Sequence, residues 1–226
     1  MSYAHIAFDL DGTLIDSRLD LSHAVNFVRG SFGLPELPLD VVTTYIGSGA
    51  RMLVQRGLGA THEELIDEGL RRFMAHYGKH LLDNTRLYPG ICELLRALRQ
   101  RGATLSVLTN KPEALSRAVL GGLQVLPHFI TVIGGDSLPT RKPDPDGLQH
   151  LCALSGVGPE KVILVGDSLI DLNTARAANV DFCGVSWGFG LTGLRTAAVD
   201  TIIEHPSELL AVIEEESKVQ GPRSKV

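Results

Sequence analysis

The chain has 226 residues, a formal net charge of −5, and 44% hydrophobic against 21% charged residues, which suits one large folded domain or a core domain with an insertion. An acidic balance with no block of Lys or Arg argues against a nucleic-acid surface, and no apolar run approaches the ~18 residues of a membrane span. The opening MSYAHIAFDLDG lacks signal-peptide architecture, so a cytoplasmic location is expected, and the scattered Cys92, Cys152 and Cys183 are expected to be buried, reduced thiols.

The first apolar run, HIAFD, leads into FDLDGTLIDS. Side chains alternate along a strand, so Asp9 and Asp11 can project to one side while Leu10 faces the other. Like charges ~4 Å apart at an effective dielectric near 20 repel by about 4 kcal/mol, so something nearby is expected to offset that cost. Gly12 permits a tight turn whose backbone N–H groups approach an anion. Asp16 and Ser17 read as a turn and a helix cap.

Residues 17–83 carry helical patterns and no convincing strand. Leu21, Ala24, Val25, Val28 and Phe32 form one apolar stripe, and Thr61-His62-Glu63-Glu64 reads as a capping box ahead of Leu65, Phe73 and Tyr77. Within this stretch, Gly47-Ser48-Gly49-Ala50-Arg51 interrupts the pattern as if the backbone approached a ligand. Arg51 is a candidate partner for a substrate carboxylate, or else a solvated residue at a helix start. His23, His62, His76 and His80 have no metal-ligand spacing and read as surface residues. The segment is too long for a single crossover, so a helical lid at 17–83 is expected over an α/β core of 1–16 and 84–226.

In PGICELLRALRQRG, Ile91, Leu94, Leu95 and Leu98 fall on one helical face between Pro89 and Gly102. The strand TLSVLTN ends in Thr109-Asn110-Lys111 and leads into the helical KPEALSRAVLGGL. FITVIGG follows, with Asp136 after it expected near Lys142, or in a simple turn. Next come the loop Thr140-Arg141-Lys142-Pro143-Asp144-Pro145 and the strand KVILVGD, ending in Gly166-Asp167-Ser168, with Asp171 about one turn into the next helix, DLNTARAANV. DFCGVSW and DTIIEH are the last strand candidates. Trp187-Gly188-Phe189-Gly190 reads as an entrance lining or as loop packing. The polar tail 214–226 is expected to fray. Alternating strands and helices, with strands apolar throughout, predict an α/β fold with a doubly wound parallel sheet.

Each polar strand end alone is an ordinary turn or cap. Together they give an acid pair, a hydroxyl, a lysine and a second acid pair, each where an apolar strand finishes. A calcium-binding EF-hand loop fails on spacing, because Gly12 falls fourth rather than sixth. A phospho-acceptor signalling module shares acids, a Thr and a Lys, but not this acid spacing or a helical insertion.

The ordered motifs FDLDGTLIDS, VLTNK, RKPDP and VGDSLID resemble those of the haloacid dehalogenase superfamily of phosphatases, over almost the whole chain. YIGSGARML, VLTNKP, VIGGD, KPDPDGL and HPSELL are similar to phosphoglycolate phosphatases and their near neighbours. The resemblance implies a Rossmann-like core with an inserted helical cap and a Mg²⁺ site. Asp9 and Asp167 would each supply a carboxylate oxygen there, and Asp11 its backbone carbonyl. It implies Asp9 as nucleophile, Asp11 as acid and then base, and Thr109, Asn110, Gly12 and Lys142 around the phosphate. Asp171, with Ser168 beside it, would order water or position Lys142. Dehalogenases proper lack an acid at the position of Asp11, so that residue favours a phosphatase. The expected substrate is a small phosphate monoester, 2-phosphoglycolate first, with pyrophosphate, sugar phosphates and a phosphomutase reaction as alternatives. A monomer or homodimer acting without nucleic acid or membrane is expected.

Overall fold

A computed structural model describes residues 2–214. The apolar runs become β1 (His5–Phe8), β4 (Thr104–Leu108), β5 (Thr131–Ile133), β6 (Val162–Gly166), β7 (Asp181–Val185) and β8 (Ile202–Ile203), joined in one parallel sheet of order β5-β4-β1-β6-β7-β8. All four residues of β1 and all five of β6 are buried, as expected of strands covered on both faces. The order reverses at β1, which lies between β4 and β6, so the carboxyl ends of these three strands flank the switch point where ligands bind in open α/β sheets.

Between β1 and β4 lie β2 (Ile15–Asp16), α1 (Arg18–Gly30), α2 (Leu39–Thr43), α3 (Ala50–Leu58), α4 (Ile66–Tyr77), β3 (Arg86–Leu87) and α5 (Ile91–Gln100). The apolar stripe of α1 is buried at Leu21, Ala24, Val25 and Val28, and α5 buries Ile91, Leu94, Leu95 and Leu98. The chain leaves and re-enters the sheet region through a two-residue antiparallel ribbon, Ile15 against Leu87 and Asp16 against Arg86, too short to signal itself in the sequence. Beside it the buried Asp20 carboxylate accepts hydrogen bonds from Asn84 N and Nδ2 and from Thr85 N and Oγ1, all at 2.7–3.0 Å. This clamp ties the first helix of the insertion to the returning strand.

The remaining helices are α6 (Glu113–Gly122), α7 (Asp146–Ser155), α8 (Leu169–Ala178), α9 (Leu191–Thr196) and α10 (Leu209–Glu214). Helix α7 is not anticipated in the sequence, because only Gly147, Leu148 and Leu151 of its ten residues are buried and the stripe is weak. No capping box forms at Thr61: a 3₁₀ turn spans Ala60–Leu65, and the Thr61 hydroxyl pairs with the His62 ring at 3.1 Å. Nor does Ser17 cap α1, since its hydroxyl donates to Asp11 Oδ1 at 2.6 Å. Of the three cysteines, Cys183 is buried, Cys92 and Cys152 are half-buried, and all are free thiols. Among the described residues, no helix is long and apolar enough to cross a membrane. The tail expected to fray lies, beyond Glu214, outside the described residues.

Candidate active site

Each polar strand end arrives at one place because its strand does. Asp9 directly follows β1, its N–H held by Val165 O at 2.9 Å on β6; Thr109 follows β4 and Asp167 follows β6. Lys142 comes from the loop between β5 and α7. Its ammonium lies 2.8 Å from Asp9 Oδ1 and 2.6 Å from Asp171 Oδ1, with all three residues buried. The other oxygen of Asp171 accepts from Ser168 N and Oγ, and the Ser168 hydroxyl accepts in return from Asp171 N. This capping box starts α8 and fixes Asp171 at once.

Oxygens of Asp9, Asp167 and Asp171 lie within 4.8 Å of one another. The one ammonium pairs with Asp9 and Asp171 and makes no contact with Asp167, so two negative charges lack compensation if all three acids are ionised. Burial pushes the Asp9 carboxyl well above its usual range, and the neighbouring Lys142 charge only partly opposes this. Burial does the same to Asp167, with Asp171 and Asp9 adding repulsion. Lys142 responds in the opposite sense: burial works against its charge, and the two acids more than restore it.

Asp167 is oriented by a loop whose role the sequence leaves undecided. Its Oδ2 accepts from Phe189 N at 2.6 Å and Gly190 N at 3.2 Å. A Cβ at Gly188 would sit 2.3 Å from Asp167 Cβ and 2.5 Å from Gly12 O, so the backbone passes where no side chain fits. Trp187 turns away, donating its indole N–H to Thr13 O at 3.1 Å.

One expectation is corrected, and for two residues the structure takes the plainer alternative. The Gly12 N–H does not face an anion: it closes the turn onto Ile15 O at 2.9 Å, while φ of +88° and the nearby Asp167 explain why glycine stands there. Arg51 is not among the residues lining the cavity at the site. It lies half-exposed at the start of α3, with its guanidinium 2.6 Å from Asp67 on α4. Asp136 takes the turn alternative, with Ser137 N donating to Gly134 O at 3.2 Å, and it accepts from Glu113 N at the start of α6 at 2.7 Å.

The glycine-rich turn before α3 does approach the sheet. Asn110 Nδ2 donates to Gly47 O at 3.0 Å and to Lys142 O at 2.9 Å, and a Cβ on Gly49 would meet Asn110 O at 3.0 Å. Asn110 thus joins the helical segment to the strand ends with its side chain, while Pro112 precedes α6. The His76 ring stacks between Phe27 and His80, at 3.9 and 4.4 Å, on the outer side of the helices.

Lys111 is the residue that sequence reasoning missed. It is buried, with Nζ 2.9 and 3.2 Å from the Asp11 oxygens and 2.6 Å from Tyr77 Oη. Burial works against its charge, and Asp11 and Tyr77 more than restore it. Its only sequence signal is a position next to Thr109-Asn110, and a lysine there reads equally well as solvated. Asp9, Asp11, Thr109, Asn110, Lys111 and Tyr77 all face one cavity of about 460 Å³, counted to its open mouth, with apolar walls from the helical segment.

The haloacid dehalogenase-like hydrolase family model matches residues 6–185. The phosphoglycolate phosphatase of Nitrosospira multiformis is 40% identical over 189 residues, covering 81% of this chain and 83% of its own length. That of Haemophilus influenzae is 35% identical over 217 residues, covering 92% and 97%. Among solved structures, one described as a "predicted phosphoglycolate phosphatase" from Haemophilus somnus superposes with a TM-score of 0.89 at 32% identity, over 94% of this chain and 98% of that one. A haloacid dehalogenase-like family hydrolase from Streptococcus pneumoniae gives 0.84 at 25% identity, over 94% and 99%.

Proposed function

The chain belongs to the haloacid dehalogenase-like hydrolases, and as a phosphatase of that family we propose that it hydrolyses 2-phosphoglycolate to glycolate and phosphate through a phosphorylated Asp9. The observation that carries the chemistry is the buried set Asp9, Lys142, Asp167 and Asp171, beside a cavity that Asp9 and Asp11 line. The substrate reading is supported by relatives named phosphoglycolate phosphatase that align over 81–92% of the chain. Residues 17–83 act as a cap over the strand ends.

The donors fit Mg²⁺. They are hard carboxylate oxygens, buried and short of positive charge, and the Gly12 and Gly188 backbones leave room around Asp167. Asp9, Asp167 and the Asp11 carbonyl would hold the ion. Both oxygens of Asp171 are already engaged, which suits it to orient Lys142 rather than to ligate. When bound, the cation supplies charge compensation for the acids and for the phosphate oxygens.

The residues then divide the work. A carboxylate oxygen of Asp9 attacks phosphorus and the ester P–O bond breaks. Asp11 gives its proton to the departing glycolate oxygen. Water then attacks the phosphorylated Asp9, losing a proton to Asp11, and the Asp9 O–P bond breaks to release phosphate. Lys142, the Thr109 hydroxyl and the Asn110 backbone N–H stabilise the charge spread over the transferring oxygens.

The test is a phosphate-release assay on a panel of phosphate monoesters, pyrophosphate and sugar phosphates, run with Mg²⁺, with chelator, and with Asp9→Asn. The expected result is the highest kcat/KM for 2-phosphoglycolate, loss of turnover in chelator, and loss of turnover in Asp9→Asn. Full activity in Asp9→Asn would overturn the mechanism. Better turnover of another phosphate would overturn the substrate.

A further inference from the structure

We propose that Lys111, steered by Tyr77, is the receptor for a carboxylate one carbon away from the phosphate ester, and so sets the substrate class as 2-phospho acids. The inference deepens the phosphoglycolate reading and rests on it. It assigns to a buried core lysine the role that the sequence suggests for Arg51, whose guanidinium is held by Asp67 outside the cavity.

Charge argues first. A small phospho acid brings a second anion into a cavity whose walls include Leu21, Ile46, Leu53, Phe73 and Leu115. A carboxylate left against such walls would be desolvated without a partner. Among the described residues lining this cavity, Lys111 is the one cation. Its ammonium already stands in the cavity wall beside Asp11 and Tyr77.

Geometry argues second. The Asp11 carboxyl is the group that faces the leaving oxygen in the proposed reaction, and Lys111 Nζ lies 2.9 Å beyond it. In a 2-phospho acid, one carbon separates the ester oxygen from the carboxylate, so a substrate with its ester oxygen at Asp11 presents its carboxylate to the next donor along. An ammonium has three N–H donors. Tyr77 takes one, and the two Asp11 oxygens at 2.9 and 3.2 Å fit a second shared between them, which leaves the third for the substrate. The Tyr77 hydroxyl, accepting from Lys111, keeps its own proton to donate to the same carboxylate. Tyr77 ends α4 and Lys111 follows β4, so the receptor joins the helical segment to the strand ends. Longer phospho acids would place the carboxylate past Lys111, among the apolar walls.

The experiment compares kcat/KM for 2-phosphoglycolate, 2-phospholactate, 3-phosphoglycerate and ethyl phosphate in the wild type, Lys111→Met, Lys111→Gln and Tyr77→Phe. Ethyl phosphate has the same ester oxygen and no carboxylate, so any effect of Lys111 on Asp11 cancels in the ratio. Its turnover also reports that each variant is folded. The expected result is a wild-type preference for 2-phospho acids that falls by about 10- to 100-fold in both Lys111 variants, the range of one charge-assisted hydrogen bond, and by about 3- to 10-fold in Tyr77→Phe. A preference that survives in both Lys111 variants overturns this inference and leaves the phosphoglycolate reading standing. A preference for 2-phospholactate that collapses in Lys111→Met overturns phosphoglycolate as the substrate and supports the receptor. A wild type that does not favour carboxylated phosphates overturns both, whereas failure of both Lys111 variants to turn over ethyl phosphate while Tyr77→Phe keeps the full preference overturns this inference alone.

Discussion

Lys142 Nζ donates to Asp171 Oδ1 at 2.6 Å, and neither side chain has meaningful contact with solvent. The lysine comes from a loop with no regular structure, so its position depends on an acid that is itself fixed by the capping box of α8. Asp171 is a positioning residue for Lys142. Asp171→Asn should lower kcat by about 10- to 100-fold, as loss of a residue that orients a ligand does, with KM changed far less. Steady-state kinetics on 2-phosphoglycolate give the split. An equal rise in KM with kcat intact would argue for a role in substrate binding instead.

Three clustered carboxylates, of which Lys142 pairs with only two, should bind a divalent cation whether or not substrate is present. Mg²⁺ at a hundred times its dissociation constant would add about 2.7 kcal/mol of stability, a rise of about 5–10 °C in the unfolding midpoint for a chain of this size. Thermal unfolding with and without chelator measures the shift. It should vanish in Asp167→Asn.

Asp20 ties α1 to the segment before β3 through four donor groups. Burial raises the cost of its charge, and the hydrogen bonds from Asn84 and Thr85 outweigh it, holding the carboxyl below its usual range. Asp20→Ala leaves the buried Thr85 N–H and hydroxyl unpaired and should cost about 2–4 kcal/mol in urea unfolding. A loss under 1 kcal/mol would show that the clamp adds little.

His5 faces Ser106 inside the sheet, its Nε2 2.8 Å from the hydroxyl. Burial lowers its pKa to about 4. The unfolded chain therefore takes up a proton near pH 6.5 that the folded chain refuses until about pH 4, so stability falls as pH drops through that window. The loss amounts to about 3 kcal/mol at its lower end. Wild type and His5→Leu, unfolded in urea at pH 7 and pH 4.5, should differ in slope, with the variant losing less.

Arg51 and Asp67 form an exposed ion pair at the edge of the helical segment. Such pairs contribute about 0–1 kcal/mol. Arg51→Ala should leave kcat/KM for 2-phosphoglycolate within about twofold of wild type. A drop of tenfold or more would return Arg51 to the site.

The sequence by itself determined the sheet and the acids. All six apolar runs became strands because short apolar runs between turn signals have few other stable states, and the residues after β1, β4 and β6 are polar because these strands end at the switch point of the sheet. Asp9, Thr109, Lys142, Asp167 and Asp171 are legible for that reason. What only the tertiary structure decided lies where direction and partner matter more than residue type. Gly12 turns its N–H inward onto Ile15, Arg51 points along the helical surface to Asp67, and Lys111 is drawn inside by Asp11 and Tyr77. A long cationic side chain can reach several places from one backbone position. Which of them it takes depends on charges that are distant in sequence and adjacent only after the strands are ordered.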